Sequence, residues 1–128
     1  MIVEIGGVKE VVTLTQKNAV GLSLAAGELL WKIDFPGRSG MNIPTPLRFG
    51  QRLILAGDPG TMLVQVNKSG GSWTAEKAWQ ISELTMRFSS PVQKGNLIFG
   101  VLKPQPRHLL LRRRGEREDA VDQRPKSR

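Results

Sequence analysis

The sequence predicts an all-β fold built from short, repeated strands, and three observations lead to this prediction. Short runs of apolar and β-branched residues are each bounded by Gly, Pro, Asp or Asn, which is the pattern of strands separated by turns. No segment keeps a helical period of about 3.6 residues over three turns. Motifs recur about 45 residues apart, which indicates a repeated unit.

The first predicted strands are joined by tight turns. Residues 8–15 are rich in β-branched side chains and end at Gln16-Lys17-Asn18, a polar cluster suited to a hairpin turn. Residues 19–24 alternate small or polar residues with apolar ones, and Ala26-Gly27 then marks a second turn. The apolar run 29–35 is the next predicted strand.

The following segments are shorter and more often interrupted. Residues 36–40 are predicted to form a loop because they begin with Pro-Gly and end with Gly. Further strands are predicted in residues 45–47, 52–56 and 62–66, each of which is bounded by turn residues. Gly57-Asp58-Pro59-Gly60 is interpreted as a turn, since it lacks the Lys and the following helix of a phosphate-binding loop.

The sequence also resembles itself. Thr45-Pro46-Leu47, with Gly50 after it, recurs as Ser90-Pro91-Val92, with Gly95 after it, at a spacing of 45 residues. A period of 40 to 50 residues made of short strands is typical of a propeller blade, whose sheet buries both faces only when neighbouring blades cover them. The strands account for about two and a half blades, whereas propellers typically close with at least four.

Several repeated residues have structural explanations. Trp31 and Trp79 each close a predicted strand, and a broad ring there is expected to be buried between adjacent blades. Gly27 allows turn conformations that other residues avoid. Pro46 and Pro91 suit the start of a strand, where the backbone N–H that proline lacks is not needed for a ladder hydrogen bond.

Two stretches carry a resemblance to a known repeat family. Residues 89–99 contain a small residue and Pro, an apolar residue, a Gly turn and an apolar strand, and Ala25-Ala26-Gly27-Glu28-Leu29-Leu30-Trp31 contains a turn and a closing strand. In these features residues 8–102 resemble the PQQ-like repeat family, the β-propellers of quinoprotein dehydrogenases and of related non-catalytic proteins. The family's Asp and Thr are missing before Gly27, and Ser69-Gly70-Gly71-Ser72-Trp73 stands at the second turn.

The resemblance implies a partial PQQ-like β-propeller in residues 1–102 and a parent protein from a mostly periplasmic or extracytoplasmic family. Residues 1–7 lack the basic and then apolar plan of a signal peptide, so the chain as written is expected to be soluble and unexported. No run of about eighteen apolar residues is present, and no membrane span is predicted.

The residues of the catalytic family members are not matched. The resemblance implies that catalysis would need a quinone held between a Trp and a disulfide of adjacent Cys residues, a calcium ion and an Asp base. The chain contains no Cys, and Asp34, Asp58, Glu76 and Glu83 fall near predicted turns or strand ends without a matching motif. We therefore predict that the chain is not an enzyme and has no catalytic, cofactor-binding or metal-binding residue.

Two further residues, Trp73 and His108, belong to types that often occur in binding or catalytic sites. Trp73, which follows Gly-Gly-Ser, is interpreted as a packing residue rather than a stacking platform. His108 is the single histidine, and one imidazole in an Arg-rich segment makes neither a metal site nor a catalytic triad.

The net charge of +8 is unevenly distributed. Residues 103–128 contain nine Lys or Arg and four acidic residues, whereas residues 1–102 contain ten and seven. Residues 103–128 are therefore predicted to be a disordered basic tail. Its Arg112-Arg113-Arg114 would bind nucleic acid weakly and without sequence specificity, and no aromatic residue is interleaved there for base stacking.

We hypothesise that this tail is derived from a frameshift. A further strand and a repeat turn are due after residue 101, but the chain turns instead to Pro, Leu and Arg without a period. Each adjacent residue pair restricts the codon that straddles it. From Arg113-Arg114 onward, reading one base later permits Asp, Ala, Ala, Ser, Gly, Lys, Thr, Leu and Trp in order, which resembles the family's turn and closing strand.

The sequence supports three hypotheses about function. The first is a non-enzymatic propeller fragment whose parent is a binding or scaffold protein, with a protein partner or self-association through uncovered blade faces. The second is a fragment of a PQQ-dependent dehydrogenase whose active site lies in other blades. The third is a small nucleic-acid-binding protein that acts through the Arg-rich tail. The sequence assigns no specific ligand, partner or compartment.

Overall fold

The computed structural model describes residues 1–38, 40–95 and 97–100, with residue 97 as backbone only, and the backbone of residues 108–114 and 117–123. These residues form β-strands and turns without a helix. The strands are β1 (Ile2–Ile5), β2 (Val8–Leu14), β3 (Asn18–Ser23), β4 (Leu29–Asp34), β5 (Leu47–Phe49), β6 (Arg52–Gly57), β7 (Gly60–Ser69), β8 (Ser72–Ile81), β9 (Val92–Lys94), β10 (Leu97–Phe99), β11 (His108–Arg114) and β12 (Arg117–Gln123).

The strands form antiparallel sheets in which neighbours in sequence are neighbours in space. Strands β1 to β4 make the first sheet in that order, and β5 to β8 make the second. Strands β9 and β10 pair as a two-stranded third sheet. The predicted all-β fold is thereby confirmed for the described residues.

The predicted strands agree with the structure in most places. Residues 8–15, 19–24 and 29–35 correspond to β2, β3 and β4, and residues 52–56 and 62–66 fall within β6 and β7. The predicted strand 45–47 is displaced, because β5 begins only at Leu47. The interpretation of Gly57-Asp58-Pro59-Gly60 as a turn is confirmed for its two central residues, which join β6 to β7, whereas the two glycines end β6 and begin β7. Pro46 and Pro91 are buried and directly precede β5 and β9, as predicted for strand starts.

Strand β1 is not predicted from the sequence. Its four residues are too few for an alternation of apolar and polar side chains to be recognised. In the structure, Ile5 pairs with Val8 across a turn of two glycines, which completes a four-stranded first sheet.

A hydrophobic core fills the space between the first and second sheets. It forms because the two sheets pack face to face and alternate residues of each strand point inward. Its buried members are Val3, Val12, Ala19, Trp31, Phe35, Leu53, Leu55, Met62, Val64 and Val66.

A second core covers the opposite face of the second sheet. It joins that sheet to the third sheet and to the connection between β8 and β9. Its buried members are Phe49, Ile54, Ala56, Leu63, Leu84, Met86 and Ile98.

Strand β6 shows that the second sheet is covered on both faces. Leu53 and Leu55 belong to the first core, whereas Ile54 and Ala56 belong to the second. Because successive side chains of a strand point to opposite faces, this strand reads as a continuous apolar run rather than an alternating one.

The repeat is visible in the turns of the structure. The hairpins β1–β2, β5–β6 and β9–β10 turn at Gly6, Gly50 and Gly95, with φ values of 56°, 63° and 60°. These glycines are 44 and 45 residues apart. The backbone N–H of Thr45 also donates to Ser90 Oγ at 2.9 Å, so the two copies of the Pro motif are in contact.

The two tryptophans of the repeat occupy matching places. Trp31 in β4 lies opposite Gly21 in β3, and Trp79 in β8 lies opposite Leu63 in β7. The register shifts immediately after each pair, which marks a β-bulge at the same point in both sheets. Trp31 is buried in the first core and Trp79 packs half-buried against the second, so each ring lies between two sheets.

The backbone of β11 and β12 forms an antiparallel hairpin in part of the segment predicted to be disordered. The pairing runs from His108 opposite Gln123 to Arg114 opposite Arg117. The remaining residues of the predicted tail lie outside the described residues, and its frameshift origin stays a hypothesis.

Candidate functional site

The connections at one end of the stacked sheets form the candidate functional site. The β4–β5 connection (residues 35–46), the β6–β7 turn (Asp58-Pro59) and the β8–β9 connection (residues 82–91) contribute to one open cleft. Connections that are held by a rigid sheet scaffold are where binding residues most often lie. We call this feature the rim cleft.

An ion pair lines the rim cleft. Arg87 Nε lies 2.8 Å from Asp58 Oδ1, and the Asp58 side chain is almost fully buried whereas that of Arg87 is about half exposed. A buried carboxylate is costly unless a counter-charge accompanies it. Arg87 therefore explains how Asp58 is accommodated beside the second core.

Exposed apolar side chains form the walls of the rim cleft. Met41, Ile43 and Phe88, which line it, are each more than half exposed. Among the described residues that line it, Asp58 and Arg87 are the titratable ones. A cleft of this composition suits contact with an apolar side chain of a partner better than acid–base chemistry.

Side-chain hydrogen bonds hold the connections in place. Asn42 Nδ2 donates to the carbonyl oxygens of Phe35 at 2.7 Å and of Thr15 at 2.8 Å, which ties the β4–β5 connection to the first sheet. Thr61 Oγ1 donates to the carbonyl oxygen of Leu84 at 2.7 Å in a buried position, which ties the β8–β9 connection to β7. The walls of the rim cleft are therefore anchored to the sheets.

A buried carboxylate in the first sheet is the other unusual polar feature. Glu10 is 0% exposed, and its Oε1 accepts a hydrogen bond from Trp31 Nε1 at 3.0 Å. Its Oε2 has no hydrogen-bond partner among the described atoms. Burial raises the pKa of the Glu10 carboxyl above its ordinary value, and the hydrogen bond from Trp31 lowers it in part.

The equivalent positions of the other sheets are apolar. Glu10 is the third residue of β2, and the third residues of β6 and β10 are Ile54 and Phe99. Because Ile54 offers no acceptor, the buried Trp79 Nε1 has no hydrogen-bond partner among the described atoms. Glu10 is therefore a feature of the first sheet and not of the repeat.

We expect Glu10→Gln to stabilise the protein at pH 7.5. Because the pKa of Glu10 is raised in the folded state, its protonated form contributes stability that is complete below the unfolded pKa of about 4.5 and is lost as pH rises through the folded value. Gln keeps an acceptor for Trp31 and carries no charge. The gain in the free energy of unfolding should be on the order of 1 kcal/mol at pH 7.5 and should vanish towards pH 4.

Thermal unfolding across this pH range measures the effect, with the exposed Glu28→Gln as the matched control for the loss of one negative charge. A Glu10→Gln protein that is less stable than the wild type at pH 7.5 would show that the carboxylate itself is favoured in the fold.

The four acidic residues Asp34, Asp58, Glu76 and Glu83 lie in different parts of the structure. Asp58 is buried and paired, as described above. Asp34 ends β4, Glu76 lies within β8 and Glu83 lies in the β8–β9 connection, and all three are exposed. Glu10 was not singled out in the sequence, although aligning the repeats would have shown a carboxylate where the other copies have Ile and Phe.

Trp73 and His108 lie in different strands, β8 and β11. Trp73 in β8 packs half-buried against the first core, which confirms its interpretation as a packing residue, and Lys68 Nζ lies 5.8 Å from its ring centroid. His108 and Arg112-Arg113-Arg114 are in β11, and their side chains lie outside the described residues. Nucleic-acid binding by the tail stays a prediction.

Within the described ranges, His, Cys, Asp and Glu side chains form no group of three or more that could hold a metal ion. The same residues contain no helix with the length and apolar character needed to cross a bilayer. Comparison with protein-family models, with curated proteins and with solved structures finds no match for this chain.

Proposed function

We propose that this chain is part of a PQQ-like β-propeller and serves its parent protein as a non-catalytic binding or scaffold module. In this role the stacked sheets form a rigid support, and the connections at the rim present residues to a partner. The rim cleft is the part of this support whose exposed apolar side chains fit a protein partner.

The observation that carries the proposal is the constant direction in which the sheets stack. The tryptophan-bearing face of the first sheet packs against the second sheet, and the tryptophan-bearing face of the second sheet packs in turn towards the third. A stack that repeats one contact in one direction is the arrangement that a propeller closes into a ring.

The character of the rim cleft supports binding over catalysis. Its carboxylate, that of Asp58, is engaged with Arg87, and its other lining residues are apolar. The arrangement holds one ion pair where a quinoprotein site would need several oxygen ligands for calcium.

Sequencing the DNA on both sides of this reading frame tests the proposal. We expect further segments with a period of 40 to 50 residues that contain the small-Pro and Gly-turn motifs. In the shifted frame of residues 103–128, we expect codons for an Asp-Ala-x-Ser/Thr-Gly-x-x-Leu-Trp run.

The assembled reading frame would then be expressed and assayed for dye reduction with PQQ and calcium, and no reduction is expected. Flanking DNA without the repeat would overturn the propeller assignment. Quinone-dependent activity of the assembled protein would favour the dehydrogenase hypothesis instead.

A further inference from the structure

The outer face of the first sheet carries a row of apolar residues that crosses all four strands. The register pairs Ile2 with Val11, Val11 with Leu22, and Leu22 with Leu29, so these side chains lie side by side on one face. Ile2 is 63% exposed and Leu29 is 56% exposed, while Val11 and Leu22 are half-buried. We call this row the head face.

The second sheet shows what covers this face. Val11 is the fourth residue of β2, as Leu55 is of β6. Leu22 and Val64 are also equivalent, because each comes directly after the residue that pairs with the tryptophan of its sheet. Leu55 and Val64 are 0% exposed because the first sheet packs over them. The head face is therefore a copy of a surface that is covered elsewhere in the same chain.

One face of the first sheet packs over the second sheet, and the equivalent face of the second sheet packs over the third. The equivalent face of the third sheet is exposed. In the first sheet this face includes the register pair of Val3 and Glu10, and in the second sheet the equivalent pair is Leu47 and Ile54. In the third sheet that pair is Val92 and Phe99. Val92 is 60% exposed and Phe99 is half-buried. We call this pair the tail face.

We propose that a second copy of this chain binds the head face with its tail face. The contact would continue, between molecules, the direction of stacking that relates the first sheet to the second and the second to the third. A contiguous row of exposed apolar residues on one sheet face is typical of a surface that another protein surface covers. Glu4 and Lys9, which are paired in the register beside this row, leave opposite charges at its margin.

The proposed contact is heterologous, because it joins two different surfaces. Each dimer therefore still has one free head face and one free tail face. Association therefore continues past the dimer into rings or open chains. Contact between two head faces would instead stop at a symmetric dimer.

The inference rests on the proposed function, because it takes the stacked sheets to be repeats of one unit. The two fail separately: a chain that stays monomeric overturns the head-to-tail contact, whereas flanking DNA that encodes further repeats would still support the propeller. The experiment uses the full chain in two blocked forms.

Leu22→Glu blocks the head face and Val92→Glu blocks the tail face. By analytical ultracentrifugation, the wild type should form species larger than a dimer at micromolar concentration. Each variant alone should remain a monomer, since a charge buried in the contact weakens it by roughly a hundredfold or more. An equimolar mixture of the two variants should form a one-to-one dimer through the two intact faces.

Thr74→Glu, at an exposed position of β8 outside both faces, is the matched control and should associate like the wild type. Far-ultraviolet circular dichroism checks folding, and Ile2→Glu at the exposed end of the row replaces Leu22→Glu if the latter unfolds. The proposal is overturned if the wild type is monomeric, if Val92→Glu associates unchanged, if the mixture stays monomeric, or if Thr74→Glu dissociates as well.

Discussion

Replacing Gly60 with alanine is expected to destabilise the protein by roughly 3 kcal/mol or more. Gly60 begins β7 directly after the two-residue turn and has a φ of +108°, which a side chain rarely adopts. A Cβ there would also overlap the carbonyl oxygen of Ile81 and approach the Cα of Ser82 to 2.7 Å. Both obstacles are backbone atoms, so a side-chain rotation cannot relieve them.

Substitutions at two other glycines separate the cost of the positive φ from the cost of the steric overlap. Gly70→Ala places a Cβ at a φ of +62° with no atom within 4 Å, so its cost should be about 1 kcal/mol from the backbone conformation alone. Gly71→Ala meets neither obstacle and should change stability by less than about 0.5 kcal/mol. Urea unfolding at low protein concentration measures the series. Equal losses of stability for Gly60→Ala and Gly70→Ala would mean that the C-terminal end of β8 shifts to accommodate the Cβ without a measurable free-energy cost.

The strands that could be predicted from the sequence are those whose apolar runs are bounded by turn residues. The run from Arg52 to Ala56 is an example, because Gly50 and the Gly57–Gly60 turn delimit it on both sides. The repeated Pro and Gly motifs also placed the starts of β5 and β9. These signals are local, so a single sequence suffices to detect them.

The features that could not be predicted depend on contacts between distant residues. Asp58 and Arg87 are 29 residues apart, and nothing in either neighbourhood indicates that they pair. Glu10 looks like an exposed strand residue, because Lys9 and Glu10 form a polar interruption between two valines. Its burial follows from the packing of two sheets and from the Trp31 indole that donates to it.

Alanine substitutions at neighbouring positions of β6 are expected to be equally costly, in contrast to those in β2. Ile54 packs in the second core and Leu55 in the first, and both are 0% exposed. Ile54→Ala and Leu55→Ala should each lower the free energy of unfolding by about 2–5 kcal/mol. In β2, Val12→Ala should cost about 2 kcal/mol, whereas Val11→Ala on the half-buried outer face should cost less than about 1 kcal/mol.

Val11 and Leu55 hold equivalent positions, but the first sheet is covered on one face and the second sheet on both. Comparing their alanine variants therefore tests the proposed self-association through its effect on stability. Urea unfolding at sub-micromolar concentration isolates the single chain, where Val11→Ala should be mild. At higher concentration its cost should rise towards that of a buried valine, since a second copy then covers the head face. A loss at Leu55 as small as that at Val11 would mean that the two sheets do not pack as the structure has them.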